Sequence, residues 1–130
     1  IILCEDSIVR GTQLKNFTVK KLWECGAKEV HIRPACPPLM FPCRFALSTR
    51  SIEELAARKA IHALEGKNIE DVKEDIDHRS NKYFQMVKWI KEELGVNSLK
   101  YQKIDDMVHA IGLPREKLCL YCWIGDYPIP

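Results

Sequence analysis

The 130-residue sequence has little net charge: 20 Lys and Arg against 18 Asp and Glu leave a formal +2. A nucleic-acid-binding role driven by bulk positive charge is therefore not supported. Uninterrupted apolar runs of about 18 residues, the length a membrane-spanning helix needs, are absent, which excludes a transmembrane helix and any membrane partner of that kind. There is no charged leader followed by an apolar stretch and a small-residue cleavage site, so no signal peptide is expected. Internal repeats, low-complexity tracts and domain-joining linkers are missing too. What is there is 46% apolar and 29% charged, enough to bury the core of one ordinary domain.

The sequence opens inside its best strand, at Ile1-Ile2-Leu3-Cys4. The expectation is that residues 1–130 are the C-terminal part of something longer. A continuous apolar run fits a parallel strand covered on both faces. Leu14, Phe17, Leu22 and Cys25 then recur at helical spacing, and Gly26 stops that helix. Val30 and Ile32 mark a second strand, closed by Pro34. Strand, helix, strand in so short a span is a βαβ unit and predicts a parallel sheet.

Pro34, Pro37, Pro38 and Pro42 make the stretch up to Arg50 an irregular connection. Ser51-Ile52-Glu53-Glu54 reads as a capping box opening a helix that ends at Gly66. Its expected buried stripe is Ile52, Leu55, Ala56, Ala60, Ala63 and Leu64. Asn68 is the expected N-cap of a short helix over 69–76. Tyr83, Met86, Val87, Ile90 and Leu94 imply another, ended by Gly95. A short strand is expected at Leu99-Lys100-Tyr101, and a last helix at Ile104 to Ile111.

The segment Glu5-Asp6-Ser7-Ile8-Val9-Arg10-Gly11-Thr12 carries the most chemistry. Two carboxylates stand where a parallel strand ends, the place where open α/β sheets bind ligands. The loop after them contains Gly11 and runs into a helix N-terminus, whose unpaired N–H groups and dipole favour an anion. Carboxylates can accept hydrogen bonds from sugar hydroxyls, or hold Mg²⁺ that bridges to a pyrophosphate. A ribose 5-phosphate suits that pair of features. The plainer reading of an acidic pair before a glycine is an N-cap at a strand–helix junction.

The whole segment resembles the phosphoribosyl pyrophosphate (PRPP) motif of type I phosphoribosyltransferases. Asp6-Ser7-Ile8-Val9-Arg10-Gly11-Thr12 is similar to the version in amidophosphoribosyltransferases. Further blocks resemble that family: Gly26 to Arg33, Pro37-Pro38 with Phe41-Pro42-Cys43, Ser51 to Leu55, Leu94 to Leu99, and Cys119 to Pro128. Residues 59–90 have no counterpart and read as a helical insertion.

The resemblance implies an α/β, type I phosphoribosyltransferase-like fold. Its mainly parallel sheet, partial in this chain, would carry helices on both faces and a C-terminal helical part. It implies that residues 1–130 are the C-terminal part of a phosphoribosyltransferase domain, inactive alone. Glu5 and Asp6 would bind the ribose hydroxyls of PRPP with Mg²⁺ nearby. Ser7, Ile8, Val9, Arg10, Gly11 and Thr12 would wrap the 5-phosphate. No residue would act as a covalent catalyst. An N-terminal glutaminase domain outside this chain would supply ammonia, pyrophosphate would leave, and phosphoribosylamine would form as the first step of purine synthesis. A cytoplasmic homo-oligomer without nucleic acid is the implied setting.

Three departures from the family pattern stand out. The acidic pair is Glu-Asp rather than Asp-Asp. Gln13 replaces a hydroxyl residue, and Phe45-Ala46-Leu47-Ser48 replaces "Tyr-Gly-Ile-Asp". The last two leave open a non-catalytic, PRPP-binding regulatory relative. A salvage phosphoribosyltransferase using a nucleobase is a third reading, opposed by the downstream blocks and the cysteines.

Six cysteines could form three disulfides, bind metal or simply be buried. Without a signal peptide a reducing compartment favours the latter two. Cys119-x-x-Cys122 alone is weak, since zinc ribbons and redox pairs share it. The resemblance implies a structural [4Fe–4S] cluster on Cys43, Cys119 and Cys122, with a fourth ligand upstream of this chain. Cys4, Cys25 and Cys36 read as core residues. The four histidines read as surface or partly buried side chains, and Glu70, Asp71, Glu74, Asp75 and Asp77 as a solvated face. Arg10 is open between a ligand-facing role and a surface salt bridge.

Overall fold

The computed structural model describes residues 1–45, 51–66 and 70–125. The expected N-cap at Asn68, the departure at Ala46-Leu47-Ser48 and the end of the last family-like block, Asp126 to Pro128, lie outside the described residues.

Three strands form a parallel sheet in the order β1 (Ile2–Glu5), β2 (His31–Pro34), β3 (Ser98–Leu99). Leu3 sits opposite Ile32, and Ile32 opposite Leu99. Between β1 and β2 a π-helical turn, Leu14–Val19, runs directly into α1, Lys20–Glu24. Between β2 and β3 come α2 (Ala56–Glu65), α3 (Lys73–Ile76) and α4 (Asn81–Leu94). After β3 follow α5 (Ile104–Ile111) and α6 (Tyr121–Ile124). The expected βαβ start, parallel sheet and final helix are all present.

The main core lies where Leu3, Ile32 and Leu99, on one face of the sheet, meet Ala60, Ile61, Met86, Ile90 and Leu94 of α2 and α4. Each of the Leu, Ile and Met side chains among them, taken fully out of water, contributes roughly 1.5–3 kcal/mol. Cys36, Met107 and Leu120 form a second cluster with Ile104, Trp123 and Ile124 around it, which is the C-terminal helical part.

Several expectations are corrected. β1 is an edge strand, bonded to β2 alone in this sheet. Its side chains alternate, and within these 130 residues Ile2 is 68% exposed on the face away from Leu3. Cys4 shares that exposed face, and Cys25 is exposed at the end of α1; of the three cysteines expected in the core only Cys36 is buried. β3 starts one residue early. The Asn97 N–H donates to Val30 O (2.9 Å), and its Oδ1 accepts from Val30 N–H (2.8 Å), so a side-chain amide extends the ladder ahead of the strand. Among the acidic residues expected on a solvated face, Asp75 is buried. Its Oδ2 is buried without a hydrogen-bond partner among the described residues. Arg58 of α2 is buried as well; it donates its Nε–H to Met40 O (2.7 Å) and lies over the Phe41 ring. Burial raises the Asp75 carboxyl and lowers Arg58 from their ordinary values, each charge partly offsetting the other's shift.

Candidate functional site

β1 ends at Glu5, and the chain leaves the sheet through Asp6 and Ser7. A cleft of about 640 Å³ opens at that end of the strand. Glu5, Asp6, Ser7, Ile8, Val9 and Gly11 line it from the loop, and Gln13, Leu14, Phe17 and Thr18 from the helical turn that follows. The volume is that of an ordinary small-molecule site. Asp6 is exposed and Glu5 half-buried. The Ser7 N–H donates to Asp6 Oδ1 (2.5 Å), which fixes the carboxylate at the start of the loop.

The loop is apolar where it is rooted and polar where it is open. Ile8 is 3% exposed and belongs to the main core, so its side chain anchors the loop while its backbone borders the cleft. Gly11 has φ +75°, the left-handed region that side-chain-bearing residues rarely adopt. Its carbonyl accepts from Lys15 N–H (2.9 Å), which opens the helix. Thr12 and Arg10 turn to the reverse of the loop. There they border a smaller cleft of about 280 Å³ with Lys15, Asn16, Lys59 and Trp89, and Gly11 alone of the loop residues reaches both. Arg10 donates from Nε to Glu54 Oε2 (2.9 Å), so its side chain makes the salt bridge that was one of its two readings.

Phe17 and Thr18 are cleft residues that the sequence pattern does not reveal. A helix of ordinary period buries Leu14 and Phe17 on one face. Here the buried pair is Leu14 and Val19, five residues apart, the spacing of a π-turn. Phe17 is rotated out to 72% exposure at the cleft. Gln13, the departure from the hydroxyl pattern, lines the same cleft.

The helix expected from Ser51 onward is two pieces. A 3₁₀ turn, Ile52–Glu54, is followed by Leu55 in extended conformation (φ −69°, ψ 132°), and α2 begins afresh at Ala56. Ser51 makes no side-chain cap. The break resets the helical phase, so Ala57 and Ile61 are buried while Ala63 and Leu64 are exposed. It also turns the Ala56 N–H outward to Val9 O of the loop, 2.7 Å away.

Cys43, Cys119 and Cys122 lie near one another. Burial first, then the Cys43 thiol and Cys119, push the Cys122 thiol up to about 11. The N–H groups of Met40 and Phe41 both donate to Cys122 O (2.8 and 3.0 Å), tying the segment before Cys43 to α6. Phe41 packs tilted against Tyr121, with ring centroids 5.5 Å apart, and fills the space over Gly125. Three soft sulfur donors from two segments suit corners of an iron–sulfur cluster. Among the described residues no group of three His, Cys, Asp or Glu side chains, these three thiols included, is placed to hold a metal ion. No described helix is long and apolar enough to cross a membrane.

No protein-family model matches the chain. Relatives do match along its length. The amidophosphoribosyltransferase of Methanothermobacter thermautotrophicus is 32% identical over 130 residues, all of this chain and 22% of that protein. That of Pyrococcus horikoshii is 38% identical over 128 residues, 98% of this chain and 22% of its own length. In solved structures, the glutamine PRPP amidotransferase from B. subtilis complexed with ADP and GMP superposes with a TM-score of 0.69 at 29% identity, over 98% of this chain and 23% of that one. The chain thus spans about a fifth of the length of the relatives it matches. Its mixed helix–strand architecture around a parallel sheet is theirs, and over its whole length it is homologous to the C-terminal part of the amidophosphoribosyltransferases.

Proposed function

We propose that these 130 residues are the PRPP-binding portion of a glutamine-dependent amidophosphoribosyltransferase, acting within a longer polypeptide. One observation carries the reading: the acidic pair Glu5-Asp6 and the Gly11 loop open onto one cleft at the end of a parallel strand. In this reading the carboxylates accept hydrogen bonds from the ribose hydroxyls. The Ser7 hydroxyl, the N–H groups of Ile8 to Gly11 and the following helix turn meet the 5-phosphate. Two carboxylates are what Mg²⁺ usually takes from a protein, the substrate's phosphates supplying further oxygens, and the ion would neutralise charge on the departing pyrophosphate. Ammonia from a glutaminase domain outside the chain attacks C1, pyrophosphate leaves, and phosphoribosylamine results. The protein's part is positioning and electrostatics. A cytoplasmic homo-oligomer is the proposed setting.

The test is calorimetric titration of the full-length protein with PRPP and Mg²⁺. Binding is expected in the micromolar range that substrates commonly show, about 1 μM–1 mM. Asp6→Asn should weaken it at least about tenfold, the loss of one charge-assisted contact. No binding by the parent, or equal binding by the variant, sinks the site assignment.

Gln13 in the cleft favours a second reading, a PRPP-binding relative without turnover. PRPP binding without pyrophosphate release in the presence of ammonia would establish it. For the thiols we propose that Cys43, Cys119 and Cys122 hold three corners of a structural [4Fe–4S] cluster, with the fourth ligand outside the chain. Anaerobic reconstitution of the full-length protein should take up about four irons, and Cys122→Ser should abolish uptake.

A further inference from the structure

We propose that Glu54 is a positioning residue for the phosphate loop, holding it from behind through Arg10; this rests on the PRPP reading above. Arg10 sits in the middle of the loop and donates from both Nε and Nη2 to a single oxygen of Glu54, 44 residues further along the chain. The neighbouring loop residue, Val9, accepts the Ala56 N–H. Two consecutive loop residues are thus tied to the 3₁₀ turn and the first residue of α2. Gly11 completes the seat: a Cβ built on it would stand 3.6 Å from Leu94 Cδ2 and 4.0 Å from Ala56 Cβ. All these contacts lie on the reverse of the loop, while Ser7, Val9 and Gly11 border the larger cleft in front.

The geometry separates orientation from stability. The side chains of Arg10 and Glu54 are 49% and 38% exposed, and half-exposed ion pairs add little to global stability. What the pair fixes is the direction of a short loop whose N–H groups must converge on one phosphate. A loop already ordered pays less conformational entropy when ligand arrives. Glu54 does not line the larger cleft, and its carboxylate reaches the loop through Arg10 behind it, so it acts through the loop and belongs to binding rather than chemistry. Loss of such a contact weakens ground state and transition state alike, which raises KM and leaves kcat unchanged.

The experiment uses the full-length protein with PRPP and Mg²⁺. Glu54→Gln is expected to raise the PRPP Kd and KM about two- to fivefold, the range of an exposed ion pair, with kcat and the melting temperature close to parental. Glu54→Asp, which keeps the charge, should recover part of the loss. Arg10→Gln should match Glu54→Gln, and the double variant should be no worse than either. Amide exchange of residues 7–11 should quicken in Glu54→Gln. A parent that binds PRPP, with Glu54→Gln indistinguishable from it, overturns this inference alone. So does an Arg10→Gln loss that is far larger and adds to that of Glu54→Gln, since Arg10 would then meet the phosphate itself. A parent that binds no PRPP overturns the underlying reading and this inference with it.

Discussion

Gly11 stands at φ +75° with room for a methyl group, since Leu94 Cδ2, the nearest side-chain atom, would lie at an ordinary 3.6 Å. The cost of Gly11→Ala is therefore conformational rather than steric, about 1–2 kcal/mol for a left-handed L-residue. Urea denaturation should show that loss, and an unchanged midpoint would mean that the loop relaxes out of this conformation. Asp75 gives a second residue-level prediction. Burial, then Glu65, raises its folded pKa above the unfolded value, with Lys82 and Arg58 opposing. A raised carboxyl favours the protonated fold, so its contribution is whole below pH about 4 and is lost as pH rises through the folded value. Asp75→Asn should remove that decline; parallel stability–pH curves for parent and variant between pH 4 and 7 would contradict it. Single residues were unevenly legible. Glu5, Asp6 and Gly11 stand out only through the whole segment they belong to, since an acidic pair before a glycine serves as readily as an N-cap; the structure sets all three on one cleft. Asp75 does not stand out, because its burial comes from the packing of α3 against α4, which no local pattern of acidic residues signals.

Elements were legible where one period runs from cap to cap. α5 is marked by its apolar spacing and by Gly112, and α4 by its stripe and Gly95; the structure adds Ser80, whose hydroxyl accepts the Tyr83 N–H, as the N-cap. Periodicity failed at the two places that build the site. The π-turn at Leu14–Val19 changes the spacing of buried residues from the one that sequence patterns assume. The break at Leu55 hides behind a sequence that satisfies the capping-box pattern, because what opens the helix there is a tertiary bond from Ala56 to Val9 rather than a local cap. Proline in place of Ala56 removes that bond and puts its ring Cδ where the N–H pointed, toward Val9 O. Ala56 is the first residue of α2, where proline is tolerated, and the extended Leu55 before it suits a following proline. Ala56→Pro should leave the far-ultraviolet circular dichroism unchanged. It should cost more than about 1 kcal/mol, the worth of one hydrogen bond, because the ring displaces Val9 O as well, and should speed amide exchange in residues 7–11. Loss of helical signal would show that the N–H to Val9 holds α2 as well as the loop.

At the scale of the molecule, three strands carry two cores, one under the sheet and one among the C-terminal segments. The parallel architecture was legible from the βαβ pattern at the start. The edge position of β1 within these residues agrees with a sheet that is only partial here; what the apolar run does not reveal is the alternation that leaves Ile2 bare. That edge has a physical consequence for the 130 residues taken alone. β1 bonds only to β2 in the sheet, leaving one row of its backbone groups unpaired with any strand. Ile1 and Ile2 are exposed beside it, 56% and 68%. An unpaired apolar edge is a template for pairing with another chain. The isolated chain should therefore associate as its concentration rises, and sedimentation velocity should resolve the larger species. Ile2→Lys puts a charge on the bare face without touching Leu3, Ile32 or the loop, so it should shift that association to higher concentration by at least about tenfold, with the melting temperature within a few degrees of the parent. Equal association by parent and variant would move the cause away from β1, toward the other exposed apolar side chains at Ile111 and Leu113.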